Sequence, residues 1–343
     1  MVGRKSITFA VAGSGKTTQL IRDLNLTSRV LFIVYTNNNL FNIQKGITDK
    51  FGYMPANIQC YTYFSFLFSW GIRPFSIPDF PRITGLTYDV PSIFFKKNNI
   101  NHYIKNGKIY HSRAYDFINN YGLETKLLDR ISKFFDTVYI DEVQDFAGYD
   151  FDFITQLGHA PFSVICVGDF FQHTFDTSRD GTKNKNLHHD YDAYKKKFGG
   201  YSFASPLLIC YRCPSAVCSF VSSKLGISMM PDPQNLVSVD PLLVTNIDEI
   251  RQIMEDTSIT KLFYQESNKY RCIAMNWGEC KGISLPHVCV ILNRKTYSLF
   301  QADRLRELAP ATKNKFYVAC TRTRGQLLFI SEDKIVNWKL PIA

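Results

Sequence analysis

Short apolar runs of strand length alternate with longer amphipathic stretches along the first half of the chain. Continuous apolar runs are typical of strands that are buried on both faces of a parallel sheet, whereas the amphipathic stretches have the period of helices. The predicted strands are residues 7–11, 30–35, 58–61, 138–140 and 164–167, and the predicted helices are residues 17–26, 37–51 and 63–70.

The same alternation continues in the second half, after a polar Gly- and Lys-rich stretch at 176–200. Predicted strands at 207–210, 273–276, 288–292 and 327–330 alternate with predicted helices at 215–225, 249–256 and 313–320. This order indicates an α/β fold with a mostly parallel sheet in each of two lobes. We place the lobes at 1–198 and 199–343, and we interpret the Pro-, Gly- and Asn-punctuated stretch 71–135 as a small insertion in the first lobe.

The composition indicates a class of binding partner and a cellular compartment. The formal net charge of +10 favours a polyanionic partner, although a merely solvating surface stays open. No apolar run approaches the ~20 residues of a membrane span, and the N-terminus has no signal-peptide core. We therefore expect a soluble, cytoplasmic protein without membrane contact. Nine cysteines, including the CxxC pair Cys210 and Cys213, suit reduced core thiols better than a disulfide framework or a zinc site.

A phosphate-binding loop is predicted at residues 10–18, AVAGSGKTT, between a strand and a helix. Glycines let the backbone N–H groups face a phosphate chain, and the start of the helix adds a positive dipole. Lys16 is expected to reach the β- and γ-phosphates of ATP, and the Thr17 hydroxyl is expected to bind Mg²⁺. The predicted nucleotide-binding residues of the loop are Ala12, Gly13, Ser14, Gly15, Lys16, Thr17 and Thr18.

Two adjacent carboxylates follow the buried strand at 138–140, in the sequence TVYIDEVQDF. Ligand-binding groups collect at this end of a strand in α/β sheets. Asp141 is expected to hold Mg²⁺, and Glu142 is expected to act as the general base that polarises the attacking water.

With these residues in place, the chain resembles the UvrD/Rep-type superfamily 1 helicases. DEVQD is similar to their DExQD motif, and further strings follow in the order of that family. The resemblance extends from Ala10 to Ile330, and it implies two RecA-like P-loop NTPase lobes with ATP and Mg²⁺ between them. The matching strings are YTNNN, TYFSFL, VGDFFQ, CYRCP, CKGISLPHVCVI and FYVACTRTR.

The resemblance also implies roles for individual residues. Gln172 would sense the γ-phosphate, Gly282 would contact the nucleotide, and Arg212 and Arg322 would be arginine fingers from the second lobe. For Tyr63 and Phe64 a place in the hydrophobic core stays equally open. The residues expected to contact nucleic acid are Tyr35, Thr36, Asn37, Tyr63, Phe64 and Phe175.

The chain departs from the family in several places. No glutamine-containing adenine motif precedes the phosphate loop, Gly278 and Ser284 replace a histidine and a glutamate, and the stretch from Arg212 to Lys281 is too short for an accessory subdomain. A minimal two-lobe motor is therefore expected. Residues 92–114 combine five cations with interleaved aromatics, which suits either a strand-binding surface or a solvated insertion.

Three functional hypotheses follow. The first is an ATP-dependent DNA translocase or helicase that binds single-stranded DNA and moves 3′ to 5′. The second is a nucleotide-gated regulatory or DNA-binding ATPase subunit that controls a partner nuclease, as in Gabija-type anti-phage defence. The third, an RNA helicase of the viral superfamily 1 kind, is echoed by YRCPSAV and KFYVACTR, but DEVQD and TYFSFL fit the first hypothesis better.

Overall fold

A computed structural model describes residues 3–75, 82–174, 183–184, 186–235 and 239–340. The chain divides into two compact units. Unit 1 comprises Met1–Thr8, Thr17–Gly168 and Asp176–Ser205, and unit 2 comprises Phe9–Lys16, Asp169–Phe175 and Pro206–Ala343. This division differs from the predicted lobes at three short segments. Phe9–Lys16 and Asp169–Phe175 group with unit 2, and residues 199–205, placed in the second lobe by the prediction, group with unit 1.

From the N-terminus to Phe203, helices alternate with strands. The strands are β1 (Lys5–Phe9), β2 (Val30–Val34), β3 (Ile58–Thr62), β4 (Gly85–Thr87), β5 (Ile104–Lys105), β6 (Lys108–Tyr110), β7 (Thr137–Ile140), β8 (Ser163–Gly168) and β9 (Ser202–Phe203). The helices are α1 (Lys16–Arg22), α2 (Asn37–Phe51), α3 (Tyr63–Phe66), α4 (Ala114–Asn120), α5 (Glu124–Phe134), α6 (Gly148–Leu157) and α7 (Tyr191–Lys196).

The main sheet of this half has the order β3-β2-β7-β8-β1-β9 among the described residues. β2 pairs in parallel with both β3 and β7, and β7 pairs in parallel with β8. All five residues of β2 are buried, as expected for a strand with both faces covered. Because β2 and β7 run in parallel, Tyr35 and Asp141, which follow them, lie at the same edge of the sheet.

The predicted insertion contains a small sheet of its own. β4 pairs in parallel with β6, and β5 pairs with β6 in antiparallel orientation. Tyr103, Ile109 and Phe117 are fully buried there, so the insertion has an apolar core. The following helix α5 buries Leu127 and Ile131 on one face.

Unit 2 contains the second predicted sheet. The elements of this unit are β10 (Ile209–Cys210), α8 (Ser215–Phe220), β11 (Met230–Pro231), β12 (Leu242–Leu243), α9 (Ile247–Glu255), β13 (Ile259–Phe263), β14 (Ala274–Asn276), β15 (His287–Leu292), α10 (Arg294–Gln301), α11 (Pro310–Cys320) and β16 (Leu327–Ser331). The described strands of the sheet have the order β12-β16-β15-β13-β14, and every pairing between them is parallel. The predicted α/β class with mostly parallel sheets is confirmed.

Strand β13 has no counterpart in the sequence-based prediction, although all five of its residues are buried. Lys261 interrupts its apolar run. The Lys261 ammonium donates a hydrogen bond of 2.5 Å to the carbonyl of Asp256, and burial lowers its pKa. The ammonium group of the lysine thus finds a hydrogen-bond acceptor just before the strand, while its aliphatic stem lies in the core.

The cysteines are all free thiols. Cys210, Cys213 and Cys218 are fully buried and belong to the core of unit 2, as predicted for core thiols. No three His, Cys, Asp or Glu side chains of the described ranges are grouped so that they could hold a metal ion. Within those ranges, too, the helices are all too short or too polar to cross a bilayer.

A substitution at Trp277 tests the packing of unit 2. Its ring is fully buried, its Nε1 donates to the carbonyl of Leu262 at 2.8 Å, and it packs against Phe316. Trp277→Ala should lower the free energy of unfolding by ~3–5 kcal/mol because it leaves a cavity. Phe41→Ala, at a side chain that is 65% exposed, should change it by less than ~0.5 kcal/mol. Chemical denaturation of the two variants checks this, and equal effects would contradict the packing described.

Candidate nucleotide and nucleic-acid sites

The phosphate loop adopts a backbone conformation that only glycine adopts readily. Gly13 has φ +71° and Gly15 has φ +75°. A Cβ atom on Gly13 would also lie 2.7 Å from Cβ of Arg212 and 3.0 Å from Sγ of Cys210. Gly13 therefore fits both a dihedral and a steric requirement, whereas Gly15 meets only the dihedral one.

A chain of hydrogen bonds within unit 2 holds the loop. The N–H of Ala12 donates to Oη of Tyr317 at 2.8 Å, and Tyr317 Oη donates to Oδ2 of Asp169 at 2.9 Å. Burial raises the pKa of Tyr317 far above its ordinary value, so the hydroxyl keeps the proton that it donates. Tyr317 and Asp169 were absent from the predicted site residues, although both lie in the quoted strings FYVACTRTR and VGDFFQ.

Other groups of the loop point to a ligand. In the part of the chain that the structure describes, no acceptor contacts the backbone N–H of Gly13 or Gly15. The buried Oγ of Ser14 likewise has no hydrogen-bond partner there. Lys16 is 9% exposed and Thr18 is exposed. Buried polar atoms normally have partners, so an acceptor-rich group such as a phosphate chain fits this loop.

Both predicted arginine fingers lie in unit 2 and are held by neutral acceptors. Arg212 Nη1 donates to the carbonyl of Thr321 at 3.2 Å, and Arg322 Nε donates to that of Val318 at 2.9 Å. Burial, and then the nearby charge of Arg322, lowers the pKa of Arg212. Arg322 is buried and Arg212 is half-buried. No carboxylate of the described residues forms an ion pair with either arginine.

The remaining predicted residues of unit 2 have simpler surroundings. Gln172 is 3% exposed, in a 3₁₀ turn whose N-terminal cap is Asp169. Gly282 is exposed, with φ +86° and no atom within 4 Å of its Cβ position. Its glycine requirement is therefore conformational.

The carboxylate pair lies at the carboxyl end of β7, as predicted. Thr17 Oγ1 donates to Oδ2 of Asp141 at 2.6 Å, so two oxygen ligands of the kind that Mg²⁺ prefers are adjacent. Glu142 has φ +57°, a left-handed conformation that costs a non-glycine residue ~1–3 kcal/mol. Gln144 Nε2 donates to Oε2 of Glu142 at 2.5 Å, and it is a further residue that the sequence analysis did not assign.

Gly168 at the end of β8 makes room for this arrangement. A Cβ atom at Gly168 would lie 2.4 Å from Oε1 of Gln144 and 2.9 Å from Cγ1 of Val143. Gln144 is fully buried, so it has no space to move away. The glycine of VGDFFQ is therefore required by the side chain that holds Glu142.

Three of the residues predicted to contact nucleic acid lie at the carboxyl end of β2. Thr36 and Asn37 are exposed at the start of α2, where Thr36 Oγ1 accepts a hydrogen bond from the N–H of Asn39. The first turn of this 15-residue helix contains no acid, so its N-terminus suits a backbone phosphate. Tyr35, half-buried, precedes it. Phe175, predicted as a stacking residue, lies outside the described residues.

Tyr63 and Phe64 belong to an aromatic core instead of presenting rings to solvent. Tyr63 is fully buried and Phe64 is 7% exposed. Tyr63 packs edge-on against Phe146, with ring centroids 4.9 Å apart, and Phe64 packs edge-on against Tyr35, at 5.3 Å. Of the two alternatives that the sequence left open, this geometry favours the core, because a buried ring has no free face for a base.

Asp150 is a buried carboxyl beneath Tyr35. Tyr35 Oη donates to its Oδ2 at 3.2 Å, while its Oδ1 has no hydrogen-bond partner within the described part of the chain. Burial raises the pKa of Asp150 to about 8, an effect that the hydrogen bond from Tyr35 partly opposes. The carboxyl is therefore largely neutral near pH 7.

The basic segment 92–114 is less positive than its sequence suggests. Lys97 pairs with Asp116 at 2.6 Å and Lys105 pairs with Asp89 at 2.7 Å, both acids lying just outside the segment. Arg113 is buried and donates to the carbonyl of His102 at 2.6 Å. Two exposed cations without an ion pair among the described residues remain, Lys96 and Lys108.

Comparison with known proteins gives a family and a set of similar folds. The family model of the viral superfamily 1 RNA helicase core domain matches residues 115–331. Arterivirus nonstructural protein 10 (helicase) in complex with DNA is 15% identical, with a TM-score of 0.52 over 96% of this chain and 61% of that chain. A crystal structure of arterivirus nonstructural protein 10 (helicase) is also 15% identical, with a TM-score of 0.53 over 96% of this chain and 60% of that chain.

The chain thus spans about three fifths of the length of these arterivirus chains. At this level of identity the likeness shows the fold. A comparison with curated proteins gave no match.

Gly13→Ala tests the steric role of the loop. The substitution should weaken ATP binding by ~10-fold or more, because the positive φ costs ~1–3 kcal/mol and the new methyl group also overlaps Arg212. Gly52→Ala is the matched control, since Gly52 has φ +79° but no atom within 4 Å of its Cβ position. Calorimetric titration with ATP checks both variants. Equal affinities would contradict the contact with Arg212.

Asp150→Asn tests the buried carboxyl. A folded-state pKa raised from 3.8 to about 8 means that the folded protein binds this proton more tightly than the unfolded chain. Stability should therefore fall as pH rises between these values, by up to ~1.4 kcal/mol per pH unit. Asp150→Asn should remove that slope, whereas Asp129→Asn, at an exposed carboxylate, should keep it. Urea unfolding between pH 4 and pH 8 is the measurement, and identical slopes in all three proteins would refute the assignment.

Proposed function

Because the chain belongs to the viral superfamily 1 RNA helicase core domain family, we propose that it is a motor that hydrolyses ATP and moves along single-stranded nucleic acid. Membership in superfamily 1 is as the motifs predicted. The narrower UvrD/Rep-like assignment stays a prediction.

The observation that carries this proposal is the positive charge of Arg212 and Arg322 in unit 2, which no carboxylate of the described residues neutralises. Arg212 and Arg322 are held by carbonyl groups without a carboxylate partner in the described residues, and Cβ of Arg212 lies against the phosphate-loop glycine Gly13. Burying cations without a counter-charge is costly, so a polyanion is the ligand that this arrangement favours. The triphosphate of ATP has the charge and the acceptor oxygens that the loop needs.

The Thr17 hydroxyl and the Asp141 carboxylate fit Mg²⁺ because they bring two oxygen donors together at the end of β7. When bound, Mg²⁺ neutralises charge on the β- and γ-phosphates. Lys16, directly before Thr17 in the chain, supplies a further cation to these phosphates.

Glu142 is the general base in this proposal. Its carboxylate accepts the hydrogen bond from Gln144, which holds the side chain at the end of β7, and a carboxylate can take a proton from the attacking water. Arg212 and Arg322 stabilise the negative charge that develops on the transferred phosphoryl group, and Gln172 responds to the γ-phosphate. Tyr317 and Asp169 keep the phosphate loop in place during the reaction.

The nucleic acid is proposed to bind unit 1 at Tyr35, Thr36 and Asn37. The α2 N-terminus supplies N–H groups for a phosphate, and Tyr35 supplies a half-exposed ring beside it. The family model is named for RNA helicases, and one similar arterivirus helicase is in complex with DNA. Single-stranded DNA as the substrate and 3′-to-5′ movement stay predictions, with RNA as the alternative.

The second hypothesis, a nucleotide-gated subunit that controls a partner nuclease, uses the same ATP site. It differs in one measurable respect, because its hydrolysis would respond to the partner and would not depend on a nucleic-acid strand. The same assay therefore separates the two hypotheses.

Glu142→Gln tests the proposal directly. ATP hydrolysis by the wild-type protein should rise strongly with single-stranded RNA or DNA and little with duplex. In Glu142→Gln it should fall by a factor of ~10²–10⁴, the usual contribution of general-base catalysis, while ATP binding persists. Phosphate release at fixed ionic strength is the measurement, since phosphate contacts depend on salt.

Asp129→Asn, an exposed carboxylate exchanged in the same way, is the control and should keep full activity. The strand that stimulates more identifies the substrate, and strand displacement with a 3′ or a 5′ overhang gives the direction. Hydrolysis that is equal with and without any nucleic acid would contradict the motor and favour the regulatory subunit. Loss of ATP binding in Glu142→Gln would contradict the assignment of Glu142 as a base.

A further inference from the structure

Tyr88 is a large aromatic side chain of the insertion that no motif includes. It directly follows β4 and is 70% exposed. One face of its ring rests on the imidazole of His111, with ring centroids 4.6 Å apart and an interplanar angle of 30°. A supported ring with one open face is the arrangement that base stacking requires.

The support under Tyr88 is itself fixed. His111 Nδ1 lies 3.3 Å from the carbonyl of Thr87, and burial lowers the pKa of His111, which favours the neutral ring. The imidazole also packs perpendicular to the ring of Phe64, with centroids 5.1 Å apart. Tyr88 therefore stands on a rigid base that continues into the aromatic core of unit 1.

This aromatic core connects Tyr88 to the proposed strand site. Phe64 contacts Tyr88 on one side, with ring centroids 6.4 Å apart, and Tyr35 on the other, with centroids 5.3 Å apart. Tyr35 immediately precedes the exposed N-terminus of α2. A supported exposed ring, a half-exposed ring and a phosphate-binding helix end thus follow one another on unit 1.

We propose that Tyr88, supported by His111, stacks on a base of the single-stranded nucleic acid that binds at Tyr35 and the α2 N-terminus. This inference rests on the proposed function and adds a base contact in the insertion to it. Asp89, which follows Tyr88, is neutralised by Lys105. The neighbouring strand β6 begins with the exposed Lys108, opposite Gly85 at the other end of β4. Stacking does not distinguish between bases, so the contact should be independent of sequence.

Fluorescence anisotropy with labelled oligouridylate and oligothymidylate of roughly 15 nucleotides, in the absence of ATP, tests the proposal. Tyr88→Ala should weaken binding of the better ligand by about 5- to 10-fold, the lower part of the range for loss of one stacked base. Tyr88→Phe keeps the ring and should bind as the wild type does. Tyr53→Ala is the matched control, since Tyr53 is 54% exposed on unit 1 but follows the far end of α2.

A second ligand separates stacking from any other contact. In an oligonucleotide of the same length with abasic sites throughout its centre, the phosphates remain but the bases do not. Wild-type and Tyr88→Ala proteins should bind this ligand equally. An equal loss on both ligands would overturn the stacking contact, because the effect would not depend on bases.

Unchanged binding of the intact oligonucleotide by Tyr88→Ala would also overturn the proposal. It would instead favour a protein partner for the exposed side chains of this segment, such as Val90 and Ile93, which are 90% and 86% exposed. The motor function would survive that result. If the wild-type protein bound neither oligonucleotide, the proposed function itself would fail, and the role of Tyr88 would fail with it.

Discussion

The backbone of the phosphate loop is the constraint on which the rest of the site depends. Its N–H groups can face a ligand only if Gly13 and Gly15 keep φ values near +70°, and this conformation must be held by the surroundings. On one side the N–H of Ala12 is held by Tyr317, and Arg212 fills the space against Gly13. Immediately after the loop, Thr17 is held by Asp141.

The same logic explains why several motif residues are not themselves ligands. Gln144 holds Glu142, Gly168 makes room for Gln144, and Asp169 accepts the hydrogen bond from Tyr317. Directly or through a neighbouring side chain, each of these residues fixes a group that is proposed to meet ATP, Mg²⁺ or water. Each sequence motif thus contains two kinds of residue: those that would contact the ligand and those that hold the contacting residues in position.

Much of the fold and the nucleotide site could be predicted because their signals are local. Apolar runs and glycine spacing identify the sheet strands and the phosphate loop, and Asp141 and Glu142 follow directly from the end of a strand. Strand β13 was not predicted because Lys261 interrupts its apolar run. The ammonium group of this lysine is satisfied by the carbonyl of Asp256, a contact that the sequence does not show.

Contacts between separate segments could not be inferred in the same way. The charge of segment 92–114 was overestimated, since Asp89 and Asp116, which neutralise two lysines, lie outside it. Tyr63 and Phe64 have the composition of a stacking surface, and only packing shows that their rings are buried. The stacking role of Tyr88 could not be predicted from the sequence, because the side chain that supports its ring, His111, belongs to a separate segment of the insertion.

The most direct test of this account is a crystal structure of the protein with Mg²⁺ and a non-hydrolysable ATP analogue. We predict that the β- and γ-phosphates accept hydrogen bonds from the N–H groups of Gly13 and Gly15, with Mg²⁺ beside Thr17 and Asp141. Arg212 or Arg322 should then contact a phosphate oxygen. A nucleotide bound elsewhere, or one bound at the loop with both arginines still directed only at Thr321 and Val318, would contradict it.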